Sequence, residues 1–193
     1  MIGELEQDGT TSAYDSHVTL ATLTTADELL RLPENGMRYE LVRGELRKMS
    51  PSGASHGSIA AEIIASLAVH VKKHGLGKVY ASETGFRIER SPDTVRAPDA
   101  AFVRAERVIR TPRFFEGAPD AAFEVVSPND SYSEIEEKTL DWLRAGVRAV
   151  VIVDPRTKSA RIHRSGSATP VLDVIEIEDV VRGWKLPLAD IFD

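Results

Sequence analysis

Cysteine is absent from this 193-residue chain. Disulfides and thiolate metal sites are therefore excluded, and a reducing compartment suits it. Aromatic residues are scarce at 6%, and no aromatic-rich basic stripe marks a platform on which single-stranded bases would stack. No apolar run approaches the roughly 20 residues that a membrane-spanning helix needs. Residues Met1 to Ser16 are acidic and polar, the opposite of a basic-then-apolar secretory signal. The expectation is a cytoplasmic protein. Positive charge is in deficit too. A net charge of −6 disfavours a strong general binder of nucleic acid, which is usually basic.

What is present is ordinary for a soluble globular domain: 42% hydrophobic and 28% charged residues. The length suits one domain with a sizeable core. With no internal repeat and no dividing linker, the chain reads as a flexible polar tail over residues 1–18 and a single domain over 19–193. Arg87, Arg90, Arg96, Arg104, Arg107, Arg110 and Arg113 gather in one stretch. Such a basic rim can hold a phosphate backbone even on an acidic protein, and it can equally be a solvated face.

Thr25-Ala26-Asp27-Glu28 has the form of a capping box and predicts a short helix, stopped by Pro33 and an Asn35-Gly36 turn. Arg38–Val42 and Glu45–Met49 read as strands joined at Arg43-Gly44, where a tight hairpin would prefer Asn or Asp before the glycine. After a loop over Ser50–His56, Ile59, Ile63, Leu67 and Val71 form an i, i+4 stripe on the longest helix, ended by Gly75 and Gly77. Lys78–Ser82 and Gly85–Glu89 are expected as a strand pair. Ser133 is the expected cap of a helix running to Ala145, and Val147–Asp154 is a strongly apolar strand. Ala160–Arg164 and Val171–Ile177 are expected to form a hairpin, with a final short helix over Pro187–Phe192. The crossover from the Glu124 strand through the Lys138 helix to the Val150 strand makes that part of the sheet parallel. The fold class is α/β with a mixed central sheet.

Two carboxylates carry the chemistry. Asp99 opens the run Ala100-Ala101-Phe102-Val103, and Glu124 sits inside Ala121–Val126. Both runs are short, apolar and bounded by proline, so they read as buried strands. A carboxylate in a buried strand is costly unless a positive or hydrogen-bonding group meets it. Each acid alone is explained by one of the many arginines; the pair, with Lys138 on the next helix, suggests a shared cation. Two carboxylates plus water and substrate oxygens are what Mg²⁺ tends to use. Lys138 would orient a water or offset charge at phosphorus, unless it is a surface charge paired with Glu134.

These residues fall into a recognisable pattern. Arg38-Tyr39-Glu40-Leu41-Val42-Arg43-Gly44-Glu45-Leu46, Met49-Ser50-Pro51, Ser55-His56-Gly57, Pro98-Asp99, Phe123–Pro128, Lys138, Gly146-Val147 and Val153-Asp154-Pro155 together resemble the Uma-two family of restriction-type endonucleases. That family is a branch of the PD-(D/E)XK nuclease superfamily. The resemblance implies a restriction-endonuclease-like mixed sheet flanked by helices, with an N-terminal helix-hairpin extension and a C-terminal β-hairpin. It implies a metal-dependent endonuclease acting on DNA, with Mg²⁺ or Mn²⁺ held by Asp99 and Glu124. The superfamily lysine two residues after the second acid is replaced by Val126, so its role passes to Lys138. Glu40 and His56 match the early motifs. Glu40 is then a further site carboxylate, or a partner of Arg38 or Arg47. His56 binds phosphate or shuttles a proton, or merely begins a helix.

The chain departs from the family pattern at Arg43, at Trp142 in place of tyrosine, and in the strand Arg148-Ala149-Val150-Val151. These departures and the acidic net charge leave open a retired nuclease fold that binds a partner. RNA or a smaller phosphodiester is a further possible substrate. A homodimer is the expected assembly, since many nucleases cut two strands as dimers.

Overall fold

A computed structural model describes residues 25–32 and 37–192. The expected tail over residues 1–18 and the expected helix stop at Pro33 and Asn35-Gly36 lie outside the described residues. In chain order the elements are helix α1 (Ala26–Leu30), strands β1 (Arg38–Val42) and β2 (Glu45–Met49), and helix α2 (Ala54–His74). Strands β3 (Gly77–Ala81), β4 (Phe86–Glu89), β5 (Thr94–Arg96), β6 (Ala100–Arg104), β7 (Phe115–Glu116) and β8 (Ala121–Val125) follow. Helix α3 (Tyr132–Arg144) leads to β9 (Ala149–Asp154), β10 (Ser159–Arg164), β11 (Ser167–Val171), β12 (Val174–Glu176) and β13 (Lys185–Pro187). The short terminal helix is a 3-10 turn over Leu188–Asp190.

The strands divide between two larger sheets and a small one. Six strands run in the order β11-β10-β9-β8-β6-β3, and five in the order β2-β1-β5-β4-β7; β12 pairs with β13. As the crossover rule requires, β8 and β9 are parallel, with Glu124 opposite Ile152. β6 lies antiparallel to β8. The expected pairing of the strands after α2 does not occur: β3 joins the six-stranded sheet beside β6, and β4 joins the other beside β5 and β7. β5 and β7 span three and two residues, too few for periodicity to mark them. The late hairpin is closed earlier than expected, β10 pairing with β11 and leaving Val174–Glu176 to pair with β13. Pro170 disguises β11 in the sequence; proline is tolerated there because the strand is an edge.

Side-chain alternation sorts the core into two layers. Ala121, Phe123 and Val125 of β8 and Ala100 and Phe102 of β6 face α2, meeting its stripe of Ile59, Ile63, Leu67 and Val71. Ala122, Ala101, Val103 and Val150 face the other way, against Trp142 of α3 and against Phe86 and Phe115 of the second sheet. Among the described residues, α2 is long and apolar enough to span a bilayer, contrary to the sequence expectation. Its buried stripe packs on the sheet as a core helix does. A third cluster joins Ala26 and Leu29 of α1 to Leu41 and Val95, which fastens the helix and hairpin to the second sheet.

Two backbone positions hold this arrangement in register. Arg43 (φ 50°) and Gly44 (φ 80°) both take the left-handed conformation, the geometry of a type I′ hairpin turn. Gly77 (φ 153°) begins β3 opposite Arg104, and a Cβ there would lie 2.0 Å from the carbonyl oxygen of Val103. Gly77→Ala is therefore expected to destabilise the protein by about 2–3 kcal/mol, read as a lower urea midpoint. A midpoint equal to that of the parent would contradict the β3–β6 register.

Candidate active site

Glu124 projects from β8 on the α3 side of the sheet, where apolar packing leaves it 9% exposed. Trp142 donates its indole N–H to Oε1 at 2.7 Å, and the Lys138 ammonium lies 2.9 Å from Oε2. Burial, opposed by Lys138 and reinforced by the charges of Asp99 and Glu40, pushes the Glu124 carboxyl up to about 7.

Asp99 precedes β6 and ties off the end of β8. Its N–H donates to the Phe123 carbonyl at 3.0 Å, and its Oδ2 accepts the Val125 N–H at 2.8 Å. His56 Nε2 approaches the same Oδ2 at 3.1 Å. His56 belongs to the first turn of α2, which begins at Ala54 rather than after a loop ending at His56. Its hydrogen bond to Asp99 raises the imidazole pKa against the cost of burial. Burial alone would raise Asp99; the His56 hydrogen bond, the Lys138 charge and the Val125 N–H together hold it below the usual carboxylate range. His56 Nδ1 is buried without a hydrogen-bond partner.

Lys138 sits in the middle of α3, deeper than a start at Ser133 would place it. Ser131 caps the helix, its side chain receiving the Glu134 N–H while Glu134 returns a bond to the Ser131 N–H. Glu134 is occupied there, so Lys138 is not its surface partner. The ammonium instead lies 3.3 Å from Glu40 Oε1 and donates to the Ala97 carbonyl at 3.0 Å. Burial works against that charge, and Glu124, Glu40 and Asp99 overcome it, so its pKa is raised.

Glu40 is 3% exposed and pairs with neither Arg38 nor Arg47. Arg96 donates to its Oε2 at 2.8 Å, and the Ala97 N–H to its Oε1 at 2.9 Å. Arg96, equally buried, also grips Asp141 of α3 at 2.6 Å. Burial would raise Glu40, but Lys138 and Arg96 hold it down. A buried ion pair broken on one side costs far more than its net contribution when complete. This one ties β1, β5 and α3 together.

Around it runs a second ring of charge. Arg43, from the hairpin turn, reaches Glu137 at 2.9 Å and Asp141 at 2.7 Å, and Arg47 reaches Glu137 at 2.5 Å. The residue that suits the turn least by backbone preference is thus the one that locks the hairpin to α3. The expected basic rim is largely spent on carboxylates: Arg87 on Asp93, Arg90 on Glu116, Arg104 and Arg107 on Asp120, and Arg113 on Asp27. It is better described as an ion-paired face than as an open phosphate track.

Glu40, His56, Asp99, Glu124 and Lys138 line one cleft of about 900 Å³, which the second sheet and α1 wall with Leu30, Met37 and Phe114. All five residues singled out in the sequence are therefore brought together. Sequence reasoning counted Arg96 only in the basic rim and missed Asp141. The signal for both was an arginine inside the short apolar run before Pro98 and an acid three residues after Lys138.

The profile of the Uma2 family, described as "Putative restriction endonuclease", matches residues 26–189. The chain belongs to the Uma2 family. No curated protein matches it by sequence. Its fold is similar to the crystal structure of a putative nuclease from Anabaena variabilis, with a TM-score of 0.76 and 20% identity over 87% of this chain and 97% of that one. At that identity the likeness bears on fold alone. Uma2 membership supports a nuclease.

Among the described residues, no group of three or more His, Asp or Glu side chains is arranged to hold a metal ion. The donors of Asp99 and Glu124 nonetheless fit a hard divalent cation. They are oxygens only, and Asp99 Oδ1 accepts no hydrogen bond from a described residue. The remaining ligands would be water and substrate, as Mg²⁺ tolerates.

The outer ring makes a pH-dependent contribution to stability. Hydrogen bonding to Arg47, with Arg43 also contributing against burial, lowers Glu137 to about 2. Its folded pKa lies below its unfolded value, so the stabilisation is complete above about pH 4.5 and is lost as pH falls through about 2. Glu137→Gln is expected to cost about 1–2 kcal/mol at pH 7, discounted for partial exposure. In urea unfolding that difference should shrink between pH 4.5 and pH 2. A difference independent of pH would contradict the ion-pair account.

Proposed function

We propose that this Uma2 chain is a metal-dependent endonuclease that hydrolyses phosphodiester bonds in DNA, with Mg²⁺ or Mn²⁺ held by Asp99 and Glu124. The observation that carries the reading is the meeting of Glu124, Lys138 and Glu40 within 3.3 Å contacts, in the cleft that Asp99 also lines. The family description, that of a restriction endonuclease, supports DNA as the substrate class. When bound, the ion would polarise a phosphoryl oxygen and lower the pKa of a ligated water.

The chain's own residues do the rest. Lys138 presents an ammonium whose raised pKa keeps it charged, beside the carboxylates, where it orients a water or offsets charge on the phosphorus. Glu40, itself fixed by Arg96 and the Ala97 N–H, and the Ala97 carbonyl hold that ammonium in place. His56 steadies Asp99 and, when protonated, adds a positive charge at the wall of the cleft.

A second reading, a retired nuclease fold that binds a partner, is favoured by the ion-paired arginines and by Lys138 already neutralising Glu124. Calorimetry separates the two. A retired site takes up neither Mg²⁺ nor Mn²⁺ at millimolar concentration, and the proposed enzyme binds at least one of them.

Plasmid nicking tests activity directly. The parent should nick only with Mg²⁺ or Mn²⁺ present, Glu124→Ala should abolish it, and Lys138→Met should slow it by about 10²–10³-fold. Nicking by Glu124→Ala at the parental rate would sink the assignment.

A further inference from the structure

We infer that Trp142 is a positioning residue that fixes the Glu124 carboxylate so that a single oxygen, Oε2, is offered to the divalent cation. The inference rests on the metal-dependent reading of the site. Trp142 is fully buried, and its indole N–H meets Oε1 at 2.7 Å. The ring cannot retreat: it packs edge-on against Phe86 at 6.2 Å, in the cluster that includes Ala122 and Val150. Releasing Oε1 would leave a buried N–H without a partner, a penalty the packed core gives no means to relieve.

Lys138 is differently placed. Its ammonium shares Oε2 with no such constraint, because Glu40 Oε1 and the Ala97 carbonyl remain within 3.3 Å as alternative acceptors. Of the two groups bound to Glu124, the lysine can therefore move off an oxygen and the tryptophan cannot. Outer partners of this kind orient metal-binding carboxylates and set their affinity.

The test uses the whole protein and its two tryptophans. Each gives one indole signal in a ¹⁵N–¹H correlation spectrum. Trp184, whose N–H goes to Ser66 Oγ at 3.1 Å, serves as the internal control, and Trp184→Phe assigns the pair. Titration with Mg²⁺ should move the Trp142 signal saturably and leave that of Trp184 in place. Glu124→Gln should remove the movement. Calorimetry with Mn²⁺ should find Trp142→Phe binding about 10- to 100-fold more weakly than the parent. If Trp142→Phe does not fold, the spectrum of the parent decides alone. Mg²⁺ binding by the parent with a stationary Trp142 signal would overturn this inference and leave the metal site standing. Absence of any Mg²⁺ or Mn²⁺ binding by the parent would overturn both.

Discussion

The structure depends on one ammonium held at the partly buried wall of the cleft. Lys138 lies among Glu124, Glu40 and the Ala97 carbonyl, and these groups come from helix α3, strand β8 of one sheet, strand β1 of the other, and the turn after β5. An ion of that kind in a partly desolvated site favours complete pairing. The pairing can only be completed if both sheets and α3 are assembled at once. The same contact that gathers the cleft therefore also specifies how the two sheets meet. Arg96 extends the constraint to Asp141, and Arg43 and Arg47 extend it to Glu137.

This arrangement explains why two acids of one cleft hold different protonation tendencies. Asp99 sits at the end of the β6–β8 strand pair, where a backbone N–H and an imidazole reach it, so its anion is favoured. Glu124 lies against an indole and apolar side chains, and burial disfavours its anion more than the Lys138 ammonium favours it.

Much of this was legible in the sequence because it is local or periodic. The capping box at Thr25, the α2 stripe, the alternation in β8 and the parallel crossover to β9 are short-range rules with few competing outcomes. The acids stood out because charge inside an apolar run is conspicuous. What could not be read is what only tertiary contact decides. β5 and β7 are too short to carry a period, Pro170 hides an edge strand, and the separation of β3 from β4 depends on which sheet buries Phe86. Glu40 and Lys138 each had plausible neighbours along the chain, yet their actual partners come from distant elements. The arginines could be counted but not paired, and pairing turned an expected phosphate track into a neutralised face. Arg43 shows the converse: a poor turn residue locally, retained in a role that only the distant α3 reveals.

The central claim is that Asp99 and Glu124 converge on one divalent ion beside the Lys138 ammonium. Anomalous scattering from crystals soaked in Mn²⁺ tests it most directly. The account predicts a peak within about 2.0–2.3 Å of a carboxylate oxygen of each acid, with Oε1 of Glu124 still bonded to Trp142. A peak bound elsewhere in the cleft, or no peak at millimolar Mn²⁺, would contradict it.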